Sequence, residues 1–159
     1  MAMHTWFECK IRYEKVMENG MQKKVTEPYL VDALSFTEAE ARIIEEMTPF
    51  ISGEFTVSDI KRANYSELFP SDEESADRWF KCKLIFITLD EKSGAEKKTS
   101  TQVLVQAADL RDAVKKLDEG MKGTMADYQI GMVFETPLMD VYPYSAEPND
   151  KPEFDPSKA

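Results

Sequence analysis

Eight side chains carry the clearest chemical opportunity in this sequence: Trp6, Lys10, Arg12, Lys61, Arg62, Trp79, Lys81 and Lys83. Indole rings stack on flat groups, and ammonium or guanidinium groups meet anions. In an extended strand, successive side chains point to opposite faces. If Phe7, Cys9 and Ile11 point inward, then Trp6, Glu8, Lys10 and Arg12 share the outer face, and Trp79, Lys81 and Lys83 do the same later in the chain. Leu30, Leu104, Ile85 and Ile87 are expected to join them. A face mixing Trp, Leu and Ile with Lys and Arg is not an ordinary solvated surface and needs a partner. Three partners fit: another sheet of the same chain, a protein (a homodimer included), or a single strand of nucleic acid whose bases stack on the two tryptophans. The pair Lys61-Arg62, after Ile60, and Lys97-Lys98 read by themselves as solvated charge.

Other catalytic chemistry has little to build on. The sequence holds two cysteines, Cys9 and Cys82, and one histidine, His4, too few for the usual zinc ligand sets. His4 sits at the very start of the sequence, a poor place for a histidine-based triad. Cys9 and Cys82 fall on inward strand positions, where a thiol acts as a small apolar side chain. Each sits inside its own strand, so a disulfide between them is not expected. Carboxylate pairs are the remaining route. Glu38, Glu40, Glu45 and Glu46 lie on a helix whose other face is buried, and Asp72, Glu73 and Glu74 lie between predicted elements. Neither set forms an evident pocket that would shift a carboxylate pKa. No phosphate-loop, dinucleotide, nucleophile-elbow or HExxH pattern occurs. The residues indicate no catalytic group, no metal and no cofactor.

Composition narrows the class further. The chain has 159 residues, 42% of them hydrophobic, and 30 acidic against 20 basic residues give a net charge of -10. That apolar content supports a core and excludes wholesale disorder. The excess of acid opposes non-specific binding to DNA, RNA or anionic lipid, whose affinity comes from neutralising phosphates. There is no apolar run of membrane-spanning length, and MAMHTWFECK does not read as a signal peptide, so the expected location is the cytoplasm.

The elements that must position these groups emerge when the sequence is laid over itself. Trp6-Phe7-Glu8-Cys9-Lys10-Ile11 recurs as Trp79-Phe80-Lys81-Cys82-Lys83-Leu84, roughly 73 residues later. Tyr29-Leu30-Val31-Asp32-Ala33 matches Val103-Leu104-Val105-Gln106-Ala107, and Tyr65-Ser66-Glu67-Leu68-Phe69-Pro70 matches Leu138-Met139-Asp140-Val141-Tyr142-Pro143. In each copy a two-residue hydrophobic period gives a strand, then Asn19-Gly20 or Ser93-Gly94 a turn, and residues 25–33 or 99–107 a second strand. Ser35 with Glu38, or Asp109 with Asp112, then caps a helix, with Thr37 and Glu40 as an alternative start. Phe36, Ala39, Ile43 and Met47, and Leu110, Ala113, Leu117 and Met121, mark the faces that pack on the sheets. A third strand is expected at Phe55–Ala63 and Tyr128–Glu135, with a short fourth at Tyr65–Phe69 and Leu138–Tyr142.

The predicted fold is therefore α+β: two tandem, pseudo-symmetric β-β-α-β(β) repeats, each an antiparallel sheet with one packed helix. Residues 1–70 form the first repeat, 71–78 an acidic linker, 79–143 the second repeat and 144–159 a disordered tail. Units of this size are marginal alone, so the repeats are expected to pack together.

The run WFECKIRYEKVMENGMQKKVTEPYLVDALSFTEAEARIIEEM resembles an uncharacterised family of bacterial and phage-associated proteins known only as a domain of unknown function, over residues 5–143. That resemblance implies no activity and no site residues. In architecture, the stretch from Tyr29-Leu30-Val31 through the acidic helix start to Val57–Arg62 is similar to the β-β-α-β ribosomal proteins of the LX type. These are basic and bind ribosomal RNA, whereas this chain is acidic. The leading expectation is a non-enzymatic binding or adaptor protein working through protein-protein contacts. A single-stranded nucleic-acid or RNA binder using the Trp/Lys/Arg face is the alternative, and a carboxylate enzyme comes third.

Overall fold

The computed structural model describes residues 5–143. His4 and the expected tail at 144–159 lie outside the described residues. The elements run β1 (Trp6–Val16), β2 (Gln22–Asp32), α1 (Phe36–Met47), β3 (Phe55–Ala63), β4 (Glu67–Phe69), β5 (Arg78–Leu89), β6 (Glu96–Ala107), α2 (Leu110–Gly120), β7 (Asp127–Glu135) and β8 (Asp140–Tyr142). The α+β class and the order β-β-α-β-β, met twice, follow directly.

The chain divides into two compact units. Within the described residues one is formed by 5–62 with 141–143 and the other by Ala63–Asp140. In the first, the sheet order is β3-β1-β2-β8. The β1–β2 hairpin pairs antiparallel from Trp6↔Asp32 to Val16↔Gln22, so β2 starts before the expected residue 25. Gly20 closes the turn at φ 83°, in the left-handed region that a side chain disfavours. Phe7, Cys9, Ile11, Val31 and Ala33 form the inner face of the sheet and meet Ala39, Ile43 and Met47 of α1. Burying an aliphatic or aromatic side chain of this kind stabilises by about 1.5–3 kcal/mol.

Helix α1 starts where Ser35 caps it. The Ser35 hydroxyl accepts from the Glu38 N–H at 3.1 Å, and the Glu38 carboxylate in turn accepts from the Leu34 N–H. The alternative start at Thr37 is not used. Ser35→Ala should lower stability by about 1 kcal/mol, read by urea denaturation, whereas Ser35→Asp should retain most of it. Equal losses in both variants would show that the hydroxyl does not act as a cap.

In the second unit the sheet order is β4-β6-β5-β7. Phe80, Cys82, Leu84, Val103, Val105 and Ala107 pack against Ala113, Leu117 and Met121. Asp109 caps α2, accepting from the Asp112 N–H at 2.8 Å, and Asp112 accepts from the Ala108 N–H at 2.9 Å. That backbone hydrogen bond, with Lys116 beside it, holds the Asp112 carboxyl below its usual range. Lys116 also meets Glu73 at 2.8 Å, which together with Asp112 raises its pKa, and it donates to the Ser71 hydroxyl at 3.0 Å. Within the stretch 71–78, Ser71 and Glu73 are tied to α2 and β6, with the Ser71 N–H donating to the Gln106 side chain at 2.9 Å, and Ala76 is buried. These two polar residues looked aperiodic because their partners are distant in sequence.

Two features differ from the expected pair of antiparallel sheets. First, the two short strands do not join the sheets of the strands just before them in the chain. β4, from residues 1–70, lies in the second unit's sheet, and β8, from 79–143, lies in the first unit's. Second, β4 pairs with β6 in parallel, from Glu67↔Val103 to Phe69↔Val105, so this sheet is mixed. β4 is held by the Ser66 N–H to the Gln102 carbonyl at 2.8 Å, and by Phe69 packing into the α2 core. Gly120 leaves room for it, since a Cβ there would stand 2.9 Å from the Phe69 ring and the ring would have to shift.

Candidate functional site

The register places the candidate side chains. On the face of the first sheet away from α1, Trp6 lies opposite Asp32, Glu8 opposite Leu30, Lys10 opposite Pro28 and Arg12 opposite Thr26. The Trp6, Leu30, Pro28 and Asp32 end is buried, Lys10 is half-buried and Arg12 is exposed. In the second sheet Trp79 is opposite Gln106, Lys81 opposite Leu104 and Lys83 opposite Gln102. Trp79 and Leu104 are buried, Lys81 half-buried and Lys83 exposed.

The tryptophans therefore do not form an open stacking surface. Trp6 is 3% exposed and Trp79 5%. Both are buried outside the two helix-side cores, and their rings offer no free face to a base. The basic residues are partly separated as well. The Arg62 guanidinium lies 5.9 Å from the centroid of the Phe7 ring, whose edge-on neighbour is Phe36 at 4.9 Å. Arg62 thus belongs to the helix side, where it gains a cation–π contact. Strand alternation leaves Lys61 on the opposite face with Lys10 and Arg12.

A surface that sequence reading missed lies on β7. This strand pairs antiparallel with β5, Tyr128 opposite Phe86 and Ile130 opposite Leu84 on the core side. The register shifts at Lys83/Leu84, and beyond it Met132 is opposite Lys83 and Phe134 opposite Lys81. The extra residue is Gly131, whose missing Cβ would stand 2.9 Å from Ile85 Cδ1. One inserted residue reverses strand parity. Met132 and Phe134, which plain alternation would bury with Tyr128 and Ile130, are turned outward and are 39% and 52% exposed. The signal was present as a glycine inside a strand pattern.

Phe134 and Met132 thus flank Lys81 and Lys83. Neither lysine forms an ion pair among the described residues. β7 ends the sheet, and among the described residues no strand pairs with its outer backbone edge. The Thr136 N–H donates to the Trp79 carbonyl at 2.9 Å, which points residue 136 at β5. By alternation Phe134 also points its backbone groups inward, and Val133 and Glu135 point theirs outward.

The remaining candidates are accounted for structurally. Cys9 and Cys82 are buried free thiols, and desolvation pushes them up to about 12 and about 11. Glu27, a buried carboxylate that the sequence did not single out, accepts from the Tyr13 hydroxyl at 2.9 Å and the Tyr29 hydroxyl at 3.4 Å, with Lys15 at 3.4 Å. Burial and this carboxylate push Tyr13 up to about 12 and Tyr29 further. Tyr142 stacks on Tyr29 at 6.2 Å, bringing β8 onto the same cluster. Among the described residues no group of three or more His, Cys, Asp or Glu side chains is placed to hold a metal ion. No helix among them is long and apolar enough to cross a membrane.

With this geometry in place, the chain matches one family model, described as Domain of unknown function (DUF4494), over residues 5–144. The chain belongs to that family. No curated protein and no solved structure matches it. The DUF4494 match takes in both units, from the start of β1 to just past β8. Its description assigns no activity, so the functional reading has to come from the surfaces described above.

Proposed function

We propose that this DUF4494 protein is a non-enzymatic binding or adaptor protein that acts through protein-protein contacts of a duplicated α+β unit. The supporting observation is the exposed pair Met132 and Phe134 beside the unpaired Lys81 and Lys83, in a chain of net charge -10. Large apolar side chains cost free energy in water, and aromatic side chains and Met are enriched at protein interfaces. In the proposed tandem arrangement the first copy carries Asp59 and Lys61 at the positions 73 residues before Met132 and Phe134. One surface is solvated and the other sticky, which suits recognition of a single partner.

A second reading, single-stranded nucleic-acid binding, draws on Lys10, Arg12 and Lys61 on one face of the first sheet. It lacks accessible tryptophans and works against the net charge. The two readings are separated by placing a photo-crosslinking amino acid at Phe134, and by titrating a fluorescent single-stranded oligonucleotide at low salt. The proposal expects a discrete protein adduct, lost on Lys81→Glu with Lys83→Glu, and no oligonucleotide binding. Salt-dependent oligonucleotide binding that Lys10→Glu abolishes, with no adduct, would reverse the assignment.

A further inference from the structure

The open edge of β7 says more about what kind of protein segment fits. An edge strand exposes unpaired N–H and C=O groups and is normally guarded by charge, proline or a covering element. β3, the end strand of the first sheet, is guarded in this way. Phe55, Val57 and Ile60 all pack into the core, while Asp59 and Lys61 face solvent. At β7 the same positions of the repeat hold Met132 and Phe134. The Gly131 bulge bends the strand but leaves Met132–Glu135 in register with β5. By alternation Val133 and Glu135 present outward backbone groups along this stretch, and on its outer face Lys81 and Lys83 stand opposite Phe134 and Met132, one strand away.

Resting on the protein-binding reading above, we infer that β7 takes an extended, glutamate-bearing segment of a partner protein as a fifth strand. Strand addition supplies backbone hydrogen bonds to the donor and acceptor of Val133 and Glu135. Every second side chain of the added strand then lies beside Met132 and Phe134. A glutamate there rests its methylenes on the exposed Phe134 ring and Met132 thioether, and its carboxylate reaches across β7 to Lys81 or Lys83. A carboxylate at these positions gains two unpaired cations, whereas a lysine would meet like charge. The other parity, on the flank of the core, takes aliphatic side chains beside Val133, next to the exposed Arg78–Glu135 ion pair at 3.7 Å. Acidic and aliphatic residues in alternation therefore define the ligand. A polyanion such as nucleic acid would use the lysines but not the backbone edge.

The test uses the full chain and a fluorescein-labelled, acetylated peptide of alternating Glu and Val, with an alternating Lys and Val peptide as control. Binding is read by fluorescence anisotropy, and amide exchange at Val133 and Glu135 by nuclear magnetic resonance. The inference expects the Glu peptide to bind, the Lys peptide not to, and exchange to slow at both amides. Lys81→Gln with Lys83→Gln should weaken binding by about tenfold or more, as loss of charge-assisted contacts requires. Glu135→Pro removes an outward N–H without touching the ladder to β5 and should abolish binding, while Glu135→Gln should not. Amide exchange in the unaltered protein keeps the inference testable if Glu135→Pro fails to fold. A peptide that binds without slowing exchange at Val133 and Glu135 refutes strand addition and leaves face-on protein binding standing. No binding of either peptide refutes the inference. If Phe134 also yields no protein adduct, the protein-binding reading falls with it.

Discussion

Trp79→Ala should destabilise the protein by about 3–5 kcal/mol, the range for removing a large buried aromatic side chain. At 5% exposure the indole is enclosed by the chain itself, and its backbone carbonyl anchors Thr136 through both the N–H and the hydroxyl at 2.9 Å. The ring contributes burial while the carbonyl keeps the end of β7 against β5, so truncation opens a cavity next to a ladder that must stay aligned. In a domain of this size the loss corresponds to a fall in Tm of well over about 10 °C. Trp6→Ala, at 3% exposure, should behave similarly. A solvent-facing tryptophan kept for a partner would change stability by only about 0.5 kcal/mol. Urea denaturation of the two variants decides between these cases, and a near-neutral Trp79→Ala would return the indole to the list of accessible binding groups.

The second large effect is a loss of stability in alkali. Cys9 rises from 9.0 to about 12, chiefly by desolvation, with Glu8 and Asp59 adding like-charge repulsion to the thiolate. Cys82 rises to about 11 by desolvation alone. For an acid whose folded pKa lies above its unfolded value, the folded state binds the proton more tightly. The stabilisation is complete below the unfolded pKa and is lost as the pH rises from there through the folded one. Here that window opens near pH 9 and extends to about 12 for Cys9. Each tenfold change in ionisation is worth about 1.4 kcal/mol, so Cys9 alone accounts for on the order of 4 kcal/mol by the top of the window. Tyr13, pushed up to about 12 by burial and by Glu27, acts in the same direction. Melting temperatures measured from pH 8 to 11 should fall, and fall less in Cys9→Val. An equal decline in that variant would show that the thiol is not the group responsible.

Much of this architecture is legible from local periodicity. The hairpins of alternating Phe7, Cys9, Ile11 and Phe80, Cys82, Leu84, the turns at Gly20 and Gly94, and the caps Ser35 and Asp109 each depend on residues a few positions apart. Three things are not local. The sheet edges that β4 and β8 join are built by residues far away in the sequence, and three-residue strands carry no sign of them. The ties of Ser71 and Glu73 to Gln106 and Lys116 span more than thirty residues, so local periodicity does not show them. The Gly131 bulge reverses the parity of half a strand, and that single residue decides whether Met132 and Phe134 stabilise a core or face outward. The candidate site was accordingly half visible: Lys81 and Lys83 were named from alternation, and the apolar partners that give them meaning were not.

The exchange of β4 and β8 also sets a timetable for synthesis. The first sheet is interrupted after Arg62 and gets its final strand only at Val141, while the second unit is one continuous stretch nested between them. At translation rates of about 5–20 residues per second, the intervening residues take roughly 4–16 s to emerge. Throughout that interval the β2 edge awaits β8, and the second unit, with β4 already supplied ahead of its own hairpin, is free to close first. The C-terminal half of the chain is thereby able to complete its sheet before the N-terminal half, reversing the usual vectorial order of folding.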